Sequence, residues 1–129
     1  QKMLQKDFGA IRQMISGTQY RQGEVILVPL PFTDLKDAKQ RPALIISNDS
    51  HNARADDVVI CGITSNIKDE PYSVMLDEKD MVEGKIYFLS RIKVDKLFTI
   101  HKMIIKRKLG RINKSILEQT KAEIRKLIQ

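Results

Sequence analysis

The stretch QRPALIIS, residues 40–47, sets a fixed cation and a proline directly before a short apolar run. The run is too brief for an ordinary helix, and the residue before a proline is pushed towards extended backbone. It reads as a buried strand entered at Pro42, with Arg41 held extended at its mouth. Similar runs recur at residues 24–29, 58–64, 73–76, 85–89 and 97–106, each rich in Val, Ile or Leu and bounded by turn or polar residues. Short strands at this spacing predict a mainly β protein built as a small barrel. Pro29 and Pro31 are expected to end the first strand, because proline cannot donate to a ladder. The segment TDLKDAKQ, between Phe32 and Arg41, reads as a polar loop.

Helical patterns flank the strands. Met3, Leu4, Phe8, Ile11, Met14 and Ile15 recur at near-helical spacing, which predicts an amphipathic helix over residues 3–16 that ends near Gly17. At the other end, Ser115 and Glu118 have capping-box spacing, followed by Ile116, Leu117, Thr120, Ile124, Leu127 and Ile128 on one face. The expected layout is an N-terminal helical extension over residues 1–19 and one domain over residues 20–129, closed by a helix.

The chain has 129 residues, the size of one domain, and its 42% hydrophobic and 30% charged residues are in the range of a globular protein in water. No run is long enough to span a membrane and none reads as a secretory leader, so a cytoplasmic location is expected. The single Cys61 allows no intrachain disulfide, and its neighbours Val59, Ile60, Gly62 and Ile63 mark it as a small buried hydrophobe. His51 and His101 lie in unrelated segments without metal-ligand spacing, so no metal or other cofactor is expected. His51, in the polar loop NDSHNARADD, reads as a surface or dimer-contact residue. The formal charge of +7 attracts polyanions, nucleic acid foremost. Much of it sits in HKMIIKRKLGRINK, residues 101–114, with six Lys or Arg and no acid. Taken alone, that run reads equally well as a solvated strand and turn.

Four blocks in order, GEVILVPLPFTDL (residues 23–35), QRPALIISND (40–49), VVICGITSN (58–66) and IYFLSRIKVDKLFTI (86–100), resemble the MazF/PemK family. The resemblance covers about residues 20–112 and leaves the N-terminal helix outside. Members of that family are endoribonuclease toxins of toxin–antitoxin systems. The resemblance implies an SH3-like barrel of about six to seven strands with accessory helices, usually a homodimer. It also implies metal-independent cleavage of single-stranded RNA, which leaves a 2′,3′-cyclic phosphate and a 5′-OH, with growth inhibited until an antitoxin protein binds.

Carried onto this chain, the family's arginine falls on Arg41 and its hydroxyl residue on Thr64, the two expected catalytic residues. Attack by a ribose 2′-OH on the adjacent phosphate builds negative charge on nonbridging oxygens. A guanidinium can clamp that charge and a hydroxyl can donate to it. Because guanidinium does not readily lose its proton, Arg41 reads first as an electrostatic stabiliser. The expected RNA-binding set is Phe32, Lys36, Lys39, Gln40, Ser65, Asn66, Lys93 and Asp95. Phe32 is the aromatic nearest the proposed site and also reads as a core residue. Lys93 and Asp95 stand where some members have an Arg-x-Asp pair, and lysine there keeps the charge but not the bidentate fork.

Away from the blocks, Arg41 reads as one half of an ion pair at a strand end and Thr64 as a turn cap. Two other functions fit the same barrel: a toxin that inhibits gyrase and cuts no RNA, and a noncatalytic RNA-binding module. The Arg-Pro and Thr-Ser pairs favour cleavage.

Overall fold

The computed structural model describes residues 18–30 and 39–129. The helix expected over residues 3–16, as well as Phe32 and Lys36, lies outside the described residues.

Seven strands form one antiparallel sheet in the order β4-β6-β3-β2-β1-β7-β5. They are β1 (Glu24–Leu30), β2 (Lys39–Ile45), β3 (Asp57–Thr64), β4 (Ser73–Leu76), β5 (Met81–Gly84), β6 (Ser90–His101) and β7 (Arg107–Ile112). A short helix α1 (Asp49–Arg54) joins β2 to β3, and α2 (Lys114–Ile128) closes the chain. The sheet curls into a half-barrel, in keeping with the small barrel and C-terminal helix expected from the sequence.

The central strands are apolar on both faces because both are covered. Val25, Leu44, Cys61, Ile63, Ile92 and Val94 belong to one core, over which α2 lays Ile116, Leu117, Ile124 and Leu127. Ile26, Val28, Ala43, Ile45, Val58 and Ile60 form a second core on the opposite face, joined by Tyr20, Phe98 and Ile105. Two covered faces explain why these strands read as continuous apolar runs and not as alternating ones. Cys61 is fully buried, and burial, followed by the charge of Asp95, pushes its thiol well above the usual range. It is an inert packing residue.

Both strand prolines lie inside their strands. Pro29 pairs with Gln40, and β1 ends one residue later at Leu30, close to the expected stop. Likewise β2 begins at Lys39, so Pro42 sits within it, opposite Leu27. The physical reason is the same in both places. The β1–β7 ladder stops at Leu27 and the β2–β3 ladder starts at Ala43, so each proline has a laddered neighbour on one side only.

The strand expected over residues 85–89 is an irregular crossing between β5 and β6. Only Ile86 enters the core there, while Tyr87 and Phe88 are 83% and 71% exposed. The strand expected over residues 97–106 instead starts at Ser90 and ends at His101, where a 3-10 turn, Lys102–Ile104, breaks the run. The His101 ring nitrogen Nδ1 accepts the Met103 N–H at 3.0 Å and caps that turn. The basic run then supplies β7, so its solvated strand-and-turn reading describes its structure. The cap of α2 is Asn113, whose Oδ1 accepts the Ile116 N–H at 2.8 Å, and not the expected Ser115. His51 lies exposed on α1, with Nε2 3.2 Å from Asp57.

β6 carries a bulge that matters for the site. Its partners on β3 jump from Cys61–Leu97 to Gly62–Lys93, which leaves residues 94–96 outside the ladder. The Val94 N–H donates instead to the Tyr72 carbonyl at 3.1 Å.

Candidate active site

Where β2, β3, β6 and β4 lie side by side, Ala43, Gly62, Lys93 and Ser73 pair from strand to strand in one row. Side chains alternate faces along a strand, so residues two positions on share that row's face. These are Thr64, Arg91 and Met75, again paired in turn. On β2 the corresponding residue is Arg41. The β2–β3 ladder ends at Ala43 and Gly62, and carrying its register outward sets Arg41 across from Thr64 on the same face. Arg41 is half-buried and pairs with Val28 on its other side. One end of one sheet face thus gathers Arg41, Thr64, Arg91 and Lys93.

Thr64 ends β3, and its Oγ1 accepts the Asn66 N–H at 3.1 Å. Asn66 Oδ1 in turn accepts the Lys68 N–H at 3.2 Å. These side-chain-to-backbone turns carry the chain out of the strand, and they arise because Thr and Asn oxygens compete well for nearby amides. Ser65 and Asn66 are exposed at this exit.

The β3–β4 loop then folds back over the basic residues of β6. Arg91 donates from Nε to the Ile67 carbonyl at 3.1 Å and from Nη1 to Ser73 Oγ at 3.0 Å. Its Nη2 lies 3.4 Å from Asp69. Lys93 bonds Glu70 and stands 3.6 Å from Asp95, with only 11% of its side chain exposed. A lysine so far out of water needs such partners, because an unpaired buried charge is costly. The Lys93 hydrogen bond, then its charge, holds the Glu70 carboxyl below the usual glutamate range. The Ser73 hydroxyl closes the loop by donating to the Glu70 carbonyl at 2.6 Å.

The structure therefore brings Arg41, Thr64, Ser65, Asn66 and Lys93 to one end of the sheet, with Asp95 exposed on the bulge beside Lys93. Lys39 and Gln40 are exposed at the start of β2, opposite Leu30 and Pro29. Three participants escaped the sequence reading: Arg91, Asp69 and Glu70. Arg91 had a signal, since it stands two positions from Lys93 on a strand and must share its face. The two acids had none, because a loop's fold-back is not written in strand periodicity. Among the described residues, no three His, Cys, Asp or Glu side chains converge as a metal site. No helix among them is long and apolar enough to cross a membrane.

Several solved structures share this architecture. An endoribonuclease of a mycobacterial species, in complex with its cognate antitoxin, superposes with a TM-score of 0.70 at 19% identity, over 84% of this chain and 94% of that one. MazF from Deinococcus radiodurans gives 0.69 at 17% identity, over 84% and 96%. The Mycobacterium tuberculosis toxin MazF-mt6 gives 0.67 at 20% identity, over 81% and 95%. At such identities the likeness establishes the fold alone. No curated protein matches the sequence. The family comparison is direct: residues 21–128 match the PemK-like, MazF-like toxin of type II toxin–antitoxin systems. With the match spanning nearly all of the described domain, the chain belongs to the PemK-like, MazF-like toxin family.

Proposed function

We propose that this protein is an endoribonuclease toxin that cleaves single-stranded RNA, messenger RNA included, without a metal ion, and that it restrains growth until an antitoxin binds. What supports the reading is the β2–β3 register, which, carried outward from the Ala43–Gly62 pair, puts positions 41 and 64 opposite each other at one end of a sheet face. Two of the structural neighbours described above are an endoribonuclease and MazF, which supports the same assignment.

In the proposed reaction the ribose 2′-oxygen forms a bond to the adjacent phosphorus as the bond from phosphorus to the 5′-oxygen breaks. The 2′-OH loses a proton and the departing 5′-oxygen gains one, so the products are a 2′,3′-cyclic phosphate and a 5′-OH with no net change in protons. Charge accumulates on the nonbridging oxygens. Arg41 offers them a fixed fork of donors and Thr64 a hydroxyl donor, stabilisation that grows as the charge develops. Ser65, Asn66, Lys39 and Gln40 are exposed around this end of the sheet and suit contacts to flanking nucleotides. Phe32, Lys36 and Asp95 complete the proposed RNA-binding set, whereas Lys93, 11% exposed and bonded to Glu70, is engaged with the β3–β4 loop instead. The protein acts in the cytoplasm as a homodimer, and its antitoxin covers the basic face with a disordered segment that folds on binding.

The test is incubation of the purified protein with mixed single-stranded RNA and a chelator, followed by sequencing of new 5′-OH ends. Arg41→Ala and Thr64→Ala should fold and lose cleavage. Full cleavage by the Arg41 variant, or intact RNA alongside inhibited gyrase, would overturn the assignment.

A further inference from the structure

We infer that Arg91 is a positioning residue that orients the Thr64 hydroxyl through the β3–β4 loop, an inference that rests on the cleavage reading above. Arg91 is paired with Thr64 across the β3–β6 ladder, yet its side chain is only 12% exposed. Its guanidinium is occupied: Nε by the Ile67 carbonyl at 3.1 Å, Nη1 by Ser73 Oγ at 3.0 Å and Nη2 by Asp69 at 3.4 Å. A cation so engaged is poorly placed to take a phosphate and well placed to hold the loop.

The path to Thr64 is short and continuous. The Ile67 carbonyl and the Lys68 N–H belong to one peptide unit, which is gripped at both ends. Arg91 Nε donates to its oxygen, and Asn66 Oδ1 accepts from its N–H at 3.2 Å. The same Asn66 donates its own backbone N–H to Thr64 Oγ1 at 3.1 Å. A hydroxyl has one proton to donate and two lone pairs. With one lone pair taken by Asn66, the Thr64 O–H cannot point at that amide and stays free to donate to a developing oxyanion. Loosening Arg91 frees the peptide unit, then Asn66, and then the direction of that O–H. No contact from Arg91 itself to the substrate is lost, because its guanidinium is already occupied.

The test uses the full-length protein with Arg91→Lys, which keeps the charge and loses the fork. Two readouts are taken: hydrogen exchange of the Asn66 amide by NMR, and steady-state cleavage of a single-stranded RNA oligonucleotide. The expected result is faster Asn66 exchange and a kcat lower by about ten- to a hundredfold, the scale of a small misplacement of a reacting group. The salt dependence of RNA binding should not change, since no phosphate contact is lost. A raised KM with a salt slope reduced by about 0.7 would mean that Arg91 contacts a phosphate, and would overturn the inference. Unchanged Asn66 exchange and unchanged kcat would also overturn it. If Arg91→Lys does not fold, Ser73→Ala removes one of the three acceptors and should move exchange and kcat in the same direction by less; no movement refutes the role. A wild-type protein that leaves RNA intact overturns the cleavage reading instead, and Asn66 exchange then decides the loop link separately.

Discussion

Replacing Thr64 by valine removes one hydroxyl and keeps the shape, so it isolates what that hydroxyl does. Its structural task is modest: Oγ1 accepts the Asn66 N–H at 3.1 Å in an exposed turn. Water can take over that amide, and the net value of such a hydrogen bond is about 0.5–1.5 kcal/mol, which bounds the stability loss. Valine also suits the end of a strand. The catalytic task proposed for it is larger. Removing one donor to a developing oxyanion costs about a hundred- to a thousandfold in rate, or about 2.7–4 kcal/mol of transition-state stabilisation. The two losses are therefore separable. Thr64→Val should cleave at least about a hundredfold more slowly than wild type while urea unfolding shows the bounded loss. Thr64→Ser, which restores the donor, should recover most of the rate. The assay is single-turnover cleavage of a labelled single-stranded RNA with enzyme in excess, which removes product release from the measurement. Cleavage by Thr64→Val within about tenfold of wild type would refute the reasoning, because a donor aimed at the oxyanion cannot be dispensable at that level.

Two further outcomes follow from the structure. Glu70 has a folded pKa depressed first by its hydrogen bond from Lys93, so its contribution to stability is present above the ordinary glutamate range, about 4.3, and is lost as pH falls through the lower folded value. Urea unfolding between neutral and acid pH should therefore show a shallower acid-side decline for Glu70→Gln than for wild type, and parallel curves would remove the pair from the account. At the crossing of β5 and β7, Gly84 has φ of +69°, and a Cβ there would lie 2.0 Å from the Leu109 carbonyl oxygen. Gly84→Ala should destabilise by more than the roughly 1–2 kcal/mol of a left-handed residue alone, because backbone must also move, and a melting temperature unchanged from wild type would contradict this.

The strands most legible in the sequence were those buried on both faces. Residues 58–64 read as a strand because a continuous apolar run bounded by polar residues has few other solutions, while the edge strand at 73–76 was legible from Val74 and Leu76, buried in alternation with half-buried Ser73 and Met75. β5 was not legible and β7 only as one reading of the basic run, since MVEG and RKLGRI carry little apolar periodicity and are held by pairing with each other and with β1. The opposite error occurred at residues 85–89, where Ile86, Tyr87, Phe88 and Leu89 look like a strand and only Ile86 is buried. Composition could not distinguish an apolar strand from an apolar crossing. The prolines marked the strand ends only to within a few residues: a proline forbids one hydrogen bond, and only the ladder shows whether a partner waited for it.

Arg41, Thr64 and the blocks around them are readable from the residues, because an Arg-Pro pair before an apolar run and a Thr-Ser pair after another are local patterns. Their facing one another is not local. It depends on the β2–β3 register, which is set by how two cores pack on the two sides of the sheet. The surroundings of Lys93 are still less local. Its charge is evident in the sequence, but its burial and its partner Glu70 come from a loop folding back onto β6 at a bulge. The apolar strands and the residue types at the site are thus readable from short-range chemistry. Which charges meet, and which remain exposed, is decided by contacts between residues far apart in the chain, for which periodicity carries no signal.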